Sequence, residues 1–230
     1  MITDIFFISN VLNWLTTILA LVIGAFCCYR RVNPSYLRPF PVYLFISIGV
    51  EILVNPLILR ICSFQPFGKY QDHARNTIYN LFTPIELVIF SYFLLQNIRS
   101  ILVKRTLIIS LVLFFLFFIF YSWYYGIGEE INSTAILLES VIIIIPCLTW
   151  YRELFSRTEP VNLLREPSFW LVTGIFFYLA TIIPIYSTST YLIMHGMMNT
   201  AQSLHSINNF AISITYLLFI KGFTCRIKRS

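Results

Sequence analysis

The sequence predicts an all-α integral membrane bundle of seven transmembrane helices, and three observations carry that reading. The chain has 230 residues, of which 58% are hydrophobic and 11% charged, whereas a soluble domain carries about 25% charged residues. Its apolar residues gather into runs of about 20, the length that spans a hydrocarbon core of about 30 Å at a rise of about 1.5 Å per residue. The runs are separated by short connections. Inside a bilayer every backbone polar group needs an internal partner, so such runs become helices.

The expected spans are 5–28, 40–59, 77–97, 106–125, 131–151, 168–188 and 199–220. The first lacks the positive leader of a cleaved signal peptide and is too long for its apolar core, so it is expected to be retained. The fourth carries Phe114, Phe115, Phe117, Phe118 and Phe120 with almost nothing polar, which suits a lipid-facing helix. Trp123, Trp150 and Trp170 stand at expected span ends, where interfacial aromatic belts form. Pro56, Pro84, Pro146 and Pro184 each interrupt a span, removing a backbone donor and freeing a carbonyl one turn earlier. No connection reaches the roughly 50 residues of a folded soluble domain. The whole of 1–230 therefore reads as one membrane domain, and any catalytic or DNA-binding output is expected from a partner.

Charge sets the orientation. Of the 16 Lys and Arg, only Arg60, Lys69 and Arg75 fall on the even-numbered connections. The others, among them Arg38, Arg99, Lys104, Arg152, Arg165 and Lys221, fall on the odd-numbered connections and the tail. By the positive-inside rule the rich side is cytoplasmic, which puts the N-terminus outside and the C-terminus inside. The net charge of +6 is then a topology signal, and no nucleic-acid partner is expected. The expected location is a bacterial inner membrane, crossed several times.

Ionisable groups inside a span cost about 2.5 to 3.5 kcal/mol at its centre on insertion scales, so each is a functional candidate. Glu51, Glu86 and Glu139 qualify, and no Lys or Arg lies deep in a span to neutralise them. A carboxylate leaving water without such a partner takes up a proton or recruits water, a cation or a cationic ligand. Helical spacing supplies their company. Asn55 lies one turn from Glu51, and Asn76, Asn80, Thr83 and Glu86 form a drifting stripe. Gln202, His205, Ser206, Asn209 and Ser213 form another on the seventh span, while Asn10, Asn13 and Thr17 mark the first.

With the orientation above, these acids, amides and His205 fall between the outer surface and the midplane. The expectation is a polar ligand cavity in the outer half, built from Glu51, Asn55, Asn80, Glu86, Glu139, His205 and Asn209, with Glu86 as its centre and apolar packing below. Asn, Ser, Thr and protonated Glu also join neighbouring helices without further function, at about 0.6 to 2 kcal/mol each. For a lone Asn or Thr that is the commoner role.

Several chemistries are excluded or demoted. The middle of the seventh span holds Asn208, Asn209 and Phe210, with no lysine for a retinal Schiff base. Of the three histidines only His205 lies in a span, against haem ligation. Cys27, Cys28, Cys62, Cys147 and Cys225 show no zinc spacing, so no metal or cofactor is expected, though Cys27 and Cys28 stand where acyl chains attach. Glu129 and Glu130 read as solvated acids of an outer turn. There is no H-E-x-x-H or G-x-S-x-G motif, and an intramembrane enzyme would require Glu139 and His205 to meet.

The segments Asn76 to Glu86 (NTIYNLFTPIE), Pro167 to Tyr178 (PSFWLVTGIFFY) and His205 to Phe210 (HSINNF) resemble a group of uncharacterised bacterial seven-helix membrane proteins, over most of the chain. Such proteins are often encountered beside two-component signalling genes. The resemblance implies sensing and carries no residue roles. The leading expectation is a non-enzymatic sensor or accessory subunit that binds a small polar or cationic ligand and signals to a cytoplasmic partner. The second is a small proton- or cation-coupled transporter using Glu51 and Glu86.

Overall fold

In the computed structural model the described residues, 2–29, 35–54, 71–157 and 162–225, form seven α-helices and no strand. They are α1 (Ile2–Tyr29), α2 (Pro39–Val54), α3 (Gln71–Asn97), α4 (Ile101–Tyr125), α5 (Ser133–Phe155), α6 (Pro167–Met194) and α7 (Met198–Thr224), with single 3-10 turns at Ser35–Leu37 and Leu163–Arg165. Six of the helices are long and apolar enough to cross a membrane; α2, with 16 described residues, is shorter. The expected second span continued to residue 59, and its last residues, with Asn55 and Pro56, lie outside the described ones. The protein is thus a helical, multi-pass membrane bundle. We call the end at which α1 begins the N-face and the end at which α7 finishes the C-face.

Six helices close a ring. Around it α1 packs on α2, α2 on α3, α3 on α5, α5 on α6, α6 on α7, and α7 back on α1. Small residues allow the tightest of these approaches. A β-carbon added at Gly174 of α6 would lie 2.7 Å from the Phe219 ring of α7, and one at Gly24 of α1 would lie 2.9 Å from Phe223. Helix α4 stands outside the ring against α5 and α3. It buries Leu107, Phe114 and Phe118 and exposes a broad apolar surface, with Leu116, Ile119 and Phe120 each at least 60% exposed. This is the placement expected of a lipid-facing helix.

Helix ends are set by local chemistry more than by hydropathy. Helix α4 starts at Ile101, five residues before the expected 106, because Ser100 accepts from the Val103 amide at 3.4 Å. The Glu153 carboxylate of α5 also receives the Arg99 and Ser100 amides at 2.7 and 2.8 Å, answering orphan donors of the first turn. Lys104 and Arg105 therefore sit within the helix, their stems along its side. Helix α5 begins after Asn132, whose Oδ1 accepts from the Ala135 amide at 2.9 Å. Pro84, Pro146 and Pro184 are accommodated inside α3, α5 and α6.

The half of the ring nearest the C-face is filled by rings. Phe40 lies 5.0 Å from Phe93 and 5.2 Å from Phe219, both edge-on, with Phe90 and Phe223 at 6.3 Å. Phe40, Phe90, Phe93 and Phe219 are fully buried. At the C-face itself the Ser168 hydroxyl donates to Asn97 Oδ1 at 2.8 Å and lies 3.1 Å from the Tyr36 hydroxyl, tying α6 to α3 and to the turn before α2. Burial pushes the Tyr36 phenol above its usual range. The belt expectation needs one correction. Trp123 is 86% exposed, but Trp150 is 2% exposed and belongs to the core, because it points at the ring interior and not outward. Trp170 is partly exposed, donates to the Leu164 carbonyl at 3.2 Å, and has the Lys221 ammonium 6.0 Å from its ring.

Candidate functional site

Towards the N-face the same ring is unfilled and encloses a cavity of about 820 Å³, within the roughly 300 to 1,000 Å³ of ligand pockets. Its walls come from α1, α2, α3, α5, α6, α7 and the loop between α4 and α5. The loop is fastened to α3. Asn80 donates to the Ile127 and Glu130 carbonyls at 2.7 and 2.8 Å, and its Oδ1 receives the Asn132 amide at 2.8 Å. One turn above, Asn76 donates to the Gly128 and Glu129 carbonyls at 3.2 and 3.1 Å. Gly128 allows the loop to lie close, since a β-carbon there would displace the His73 ring and the Thr77 hydroxyl.

This fastening sets the depth of the acids. Asn80 meets Asn132, and Glu86 and Glu139 follow six and seven residues deeper on α3 and α5, roughly 9 to 10 Å in both cases. Both carboxyls therefore reach the same level, on adjacent helices, and both line the cavity. Glu86 is 5% exposed and Glu139 2%. The Tyr43 hydroxyl of α2 donates to Glu86 Oε1 at 2.8 Å, and the Tyr178 hydroxyl of α6 approaches the same carboxyl. Beside them Ser47 and Tyr216 share a hydrogen bond of 3.1 Å. Glu86, Tyr43, Tyr178, Ser47 and Tyr216 make the floor, directly above the phenylalanine cluster.

Higher in the cavity stand Glu51, Asn13, Tyr79, Tyr186, Asn208 and Asn209, with Glu129, Glu130 and His205 at the N-face mouth. Phe6 of α1 packs 5.7 Å from the His205 ring, and Asn209 Nδ2 reaches Ser9 Oγ at 3.5 Å, so α7 and α1 are joined by the stripes that each displays. Two buried acceptors on the cavity wall, Glu139 Oε1 and Asn208 Oδ1, have no hydrogen-bond partner. Among the described lining residues there is no Lys or Arg.

Of the residues expected from the sequence, Glu51, Glu86, Glu139, His205 and Asn209 are brought together on this cavity. Asn55 lies outside the described residues. Asn80 is not on the wall; it is 4% exposed and both ends of its amide are engaged by the loop, a structural role. Glu129 and Glu130 are exposed as expected, yet they also rim the mouth, because the loop folds over the ring and does not project from it. Sequence reasoning missed the tyrosines at 43, 79, 178, 186 and 216. Their only sequence signal is position, since each stands inside an apolar helix where a phenol needs a partner. Glu139 and His205 both line the cavity, on helices α5 and α7 that are not ring neighbours. No group of three or more His, Cys, Asp or Glu suited to a metal occurs among the described residues.

No protein-family model, curated protein or solved structure matches the chain.

Proposed function

We propose that the protein is a non-enzymatic membrane sensor or accessory subunit, inserted with its N-terminus outside and its C-terminus in the cytoplasm, that binds a small polar or cationic ligand in this cavity. One observation carries the reading. The cavity is entered from the N-face, ends on the Glu86 floor at about mid-bundle, and is followed by fully buried phenylalanines up to the C-face. A receptor needs one-sided access of this kind, and ligand-dependent movement of the ring would reach a cytoplasmic partner at the C-face. The likeness to proteins found beside two-component genes adds weight to sensing. The charge asymmetry supports the orientation and, with it, a bacterial inner-membrane location.

A small proton- or cation-coupled transporter is the second reading. It is favoured by Pro84, two residues before Glu86, which leaves the Asn80 carbonyl without its helical donor and gives α3 a place to bend. A transporter must expose Glu86 to each side in turn, whereas a sensor need not. In intact cells a cysteine at Ser47 is expected to react with an impermeant thiol reagent from outside, and in inverted vesicles to stay unreactive. Reaction from both sides would favour transport, and reaction of a cysteine at Ser230 from outside would reverse the orientation.

A further inference from the structure

The chemistry lining the cavity narrows its ligand beyond "polar or cationic". We infer that it takes an organic ammonium compound: an amine that carries at least one N–H donor and is attached to an aromatic or branched apolar body. The inference rests on the ligand-cavity reading above and specifies its ligand class.

Sign comes first. Glu86, Glu129, Glu130 and Glu139 line the cavity, and no Lys or Arg is among its described lining residues. The two mouth acids are exposed and set a negative potential where a ligand enters, the arrangement that concentrates cations. An anion would meet acidic side chains at the mouth and at the floor, with no Lys or Arg among the described lining residues to receive it.

Hydrogen bonding selects the kind of cation. The two unpartnered buried atoms on the wall, Glu139 Oε1 and Asn208 Oδ1, are both acceptors. Glu139 is 2% exposed and Asn208 7%, so neither is served by bulk water. A buried acceptor without a donor is costly, and a ligand that brings N–H groups relieves that cost. Glu86 already receives the Tyr43 hydroxyl. Glu139 is therefore the anchor for the ammonium, and Asn208 accepts a further donor from the ligand.

Size and wall chemistry argue against an inorganic ion. A bare Na⁺, K⁺ or Ca²⁺ needs oxygens converging on one point at about 2.3 to 2.6 Å for Ca²⁺. Among the described residues no three His, Cys, Asp or Glu side chains converge in that way, and the space, about 820 Å³, is far larger than an ion. The rest of the wall suits an apolar body. Ile136, Leu179, Ile182 and Ile212 supply aliphatic surface, and Tyr79 and Tyr186 add aromatic side chains, a residue type that attracts a cation seated over its ring.

The test uses the purified full chain in nanodiscs of zwitterionic lipid, titrated with four probes sharing one apolar body. They are 2-phenylethylammonium, its N-trimethylated counterpart, 2-phenylethanol and 3-phenylpropionate; NaCl, KCl and CaCl₂ serve as inorganic probes. Binding is read as intrinsic fluorescence change and as a shift of the thermal unfolding midpoint. The expected order is primary ammonium, then quaternary ammonium, then alcohol, with no binding of the carboxylate. At least about tenfold should separate the ammonium from the alcohol, as befits a charge-assisted hydrogen bond. Glu139→Gln should bring the ammonium down to the level of the alcohol. Four results overturn the inference: equal binding of the alcohol, preference for the carboxylate, absence of ammonium binding, or an equal effect of an inorganic salt alone. The wild-type ranking stands even if Glu139→Gln proves unstable. One-sided access at Ser47 is read by labelling and not by these titrations, so the ligand class can fail while the cavity reading survives, and the reverse.

Discussion

The two halves of the ring are built from the same six helices and differ in how they fill the space between them. In the C-face half, phenylalanines interlock at 5.0 to 6.3 Å and the polar groups of Tyr36, Asn97 and Ser168 satisfy one another. In the N-face half about 820 Å³ between the same helices stays open, lined by acids, amides and phenols. A chain selected only to form a bundle would pack both ends alike, since close packing is the ordinary state of protein interiors. The contrast assigns stability mainly to one half and recognition to the other.

The sharpest way to break that assignment is Phe219→Ala. It empties the centre of the phenylalanine cluster, and a loss of about 3 to 5 kcal/mol is expected, read as a large fall in the unfolding midpoint of the detergent-solubilised protein. A small effect would mean that the C-face half does not carry the stability claimed for it. Next is Asn80→Ala, which strips partners from the Ile127 and Glu130 carbonyls and the Asn132 amide. About 2 to 3 kcal/mol should be lost, with new proteolytic cleavage between 126 and 132. Intact resistance there would show that the loop is held by other means.

Glu86→Gln tests the other half. It keeps size and hydrogen-bonding capacity, so its stability cost should stay under about 1 kcal/mol, while ligand response or transport is lost. Unchanged function in a well-folded variant would reduce Glu86 to helix packing. Glu86→Leu should in addition lower yield, since the Tyr43 hydroxyl loses its acceptor. The smallest effect belongs to the face outside both halves. Ile119→Ala on α4 should shift stability by no more than about 0.5 kcal/mol, and a larger loss would mean that α4 is covered by something other than lipid.

What the sequence made legible follows from the range of each signal. Hydropathy located the helices but not all of their ends, as with α6, expected at 168–188 and found at Pro167–Met194. A charge in an apolar run is conspicuous without knowledge of its neighbours, so Glu51, Glu86 and Glu139 could be singled out, and the structure seats all three on one cavity. Periodicity states which residues share a face but not what that face meets. Asn80 therefore looked like a ligand contact and proved to be the fastening of a loop some 50 residues further along. For the same reason Trp150, at a span end, passed for an interfacial residue. The tyrosines were lost among the many aromatic residues of apolar helices, because only the ring arrangement shows which of them turn inward.

The closure of the ring between α1 and α7 has a consequence for biosynthesis. Helices enter the bilayer in order of translation, and α1 is made well before α7, on which it packs. Until α7 emerges, the Ser9, Asn10 and Asn13 side of α1 has no Asn209 beside it, and Gly24 has no Phe223 to receive. The nascent chain thus holds a membrane helix whose polar flank is not yet covered by α7, the condition in which partly assembled chains associate wrongly. A ribosome stalled before Ser203 should leave a product that is inserted but open, recognisable to quality-control proteases by that flank. The cavity comes into existence only with α7, so every molecule that can bind is one whose synthesis has run through that helix.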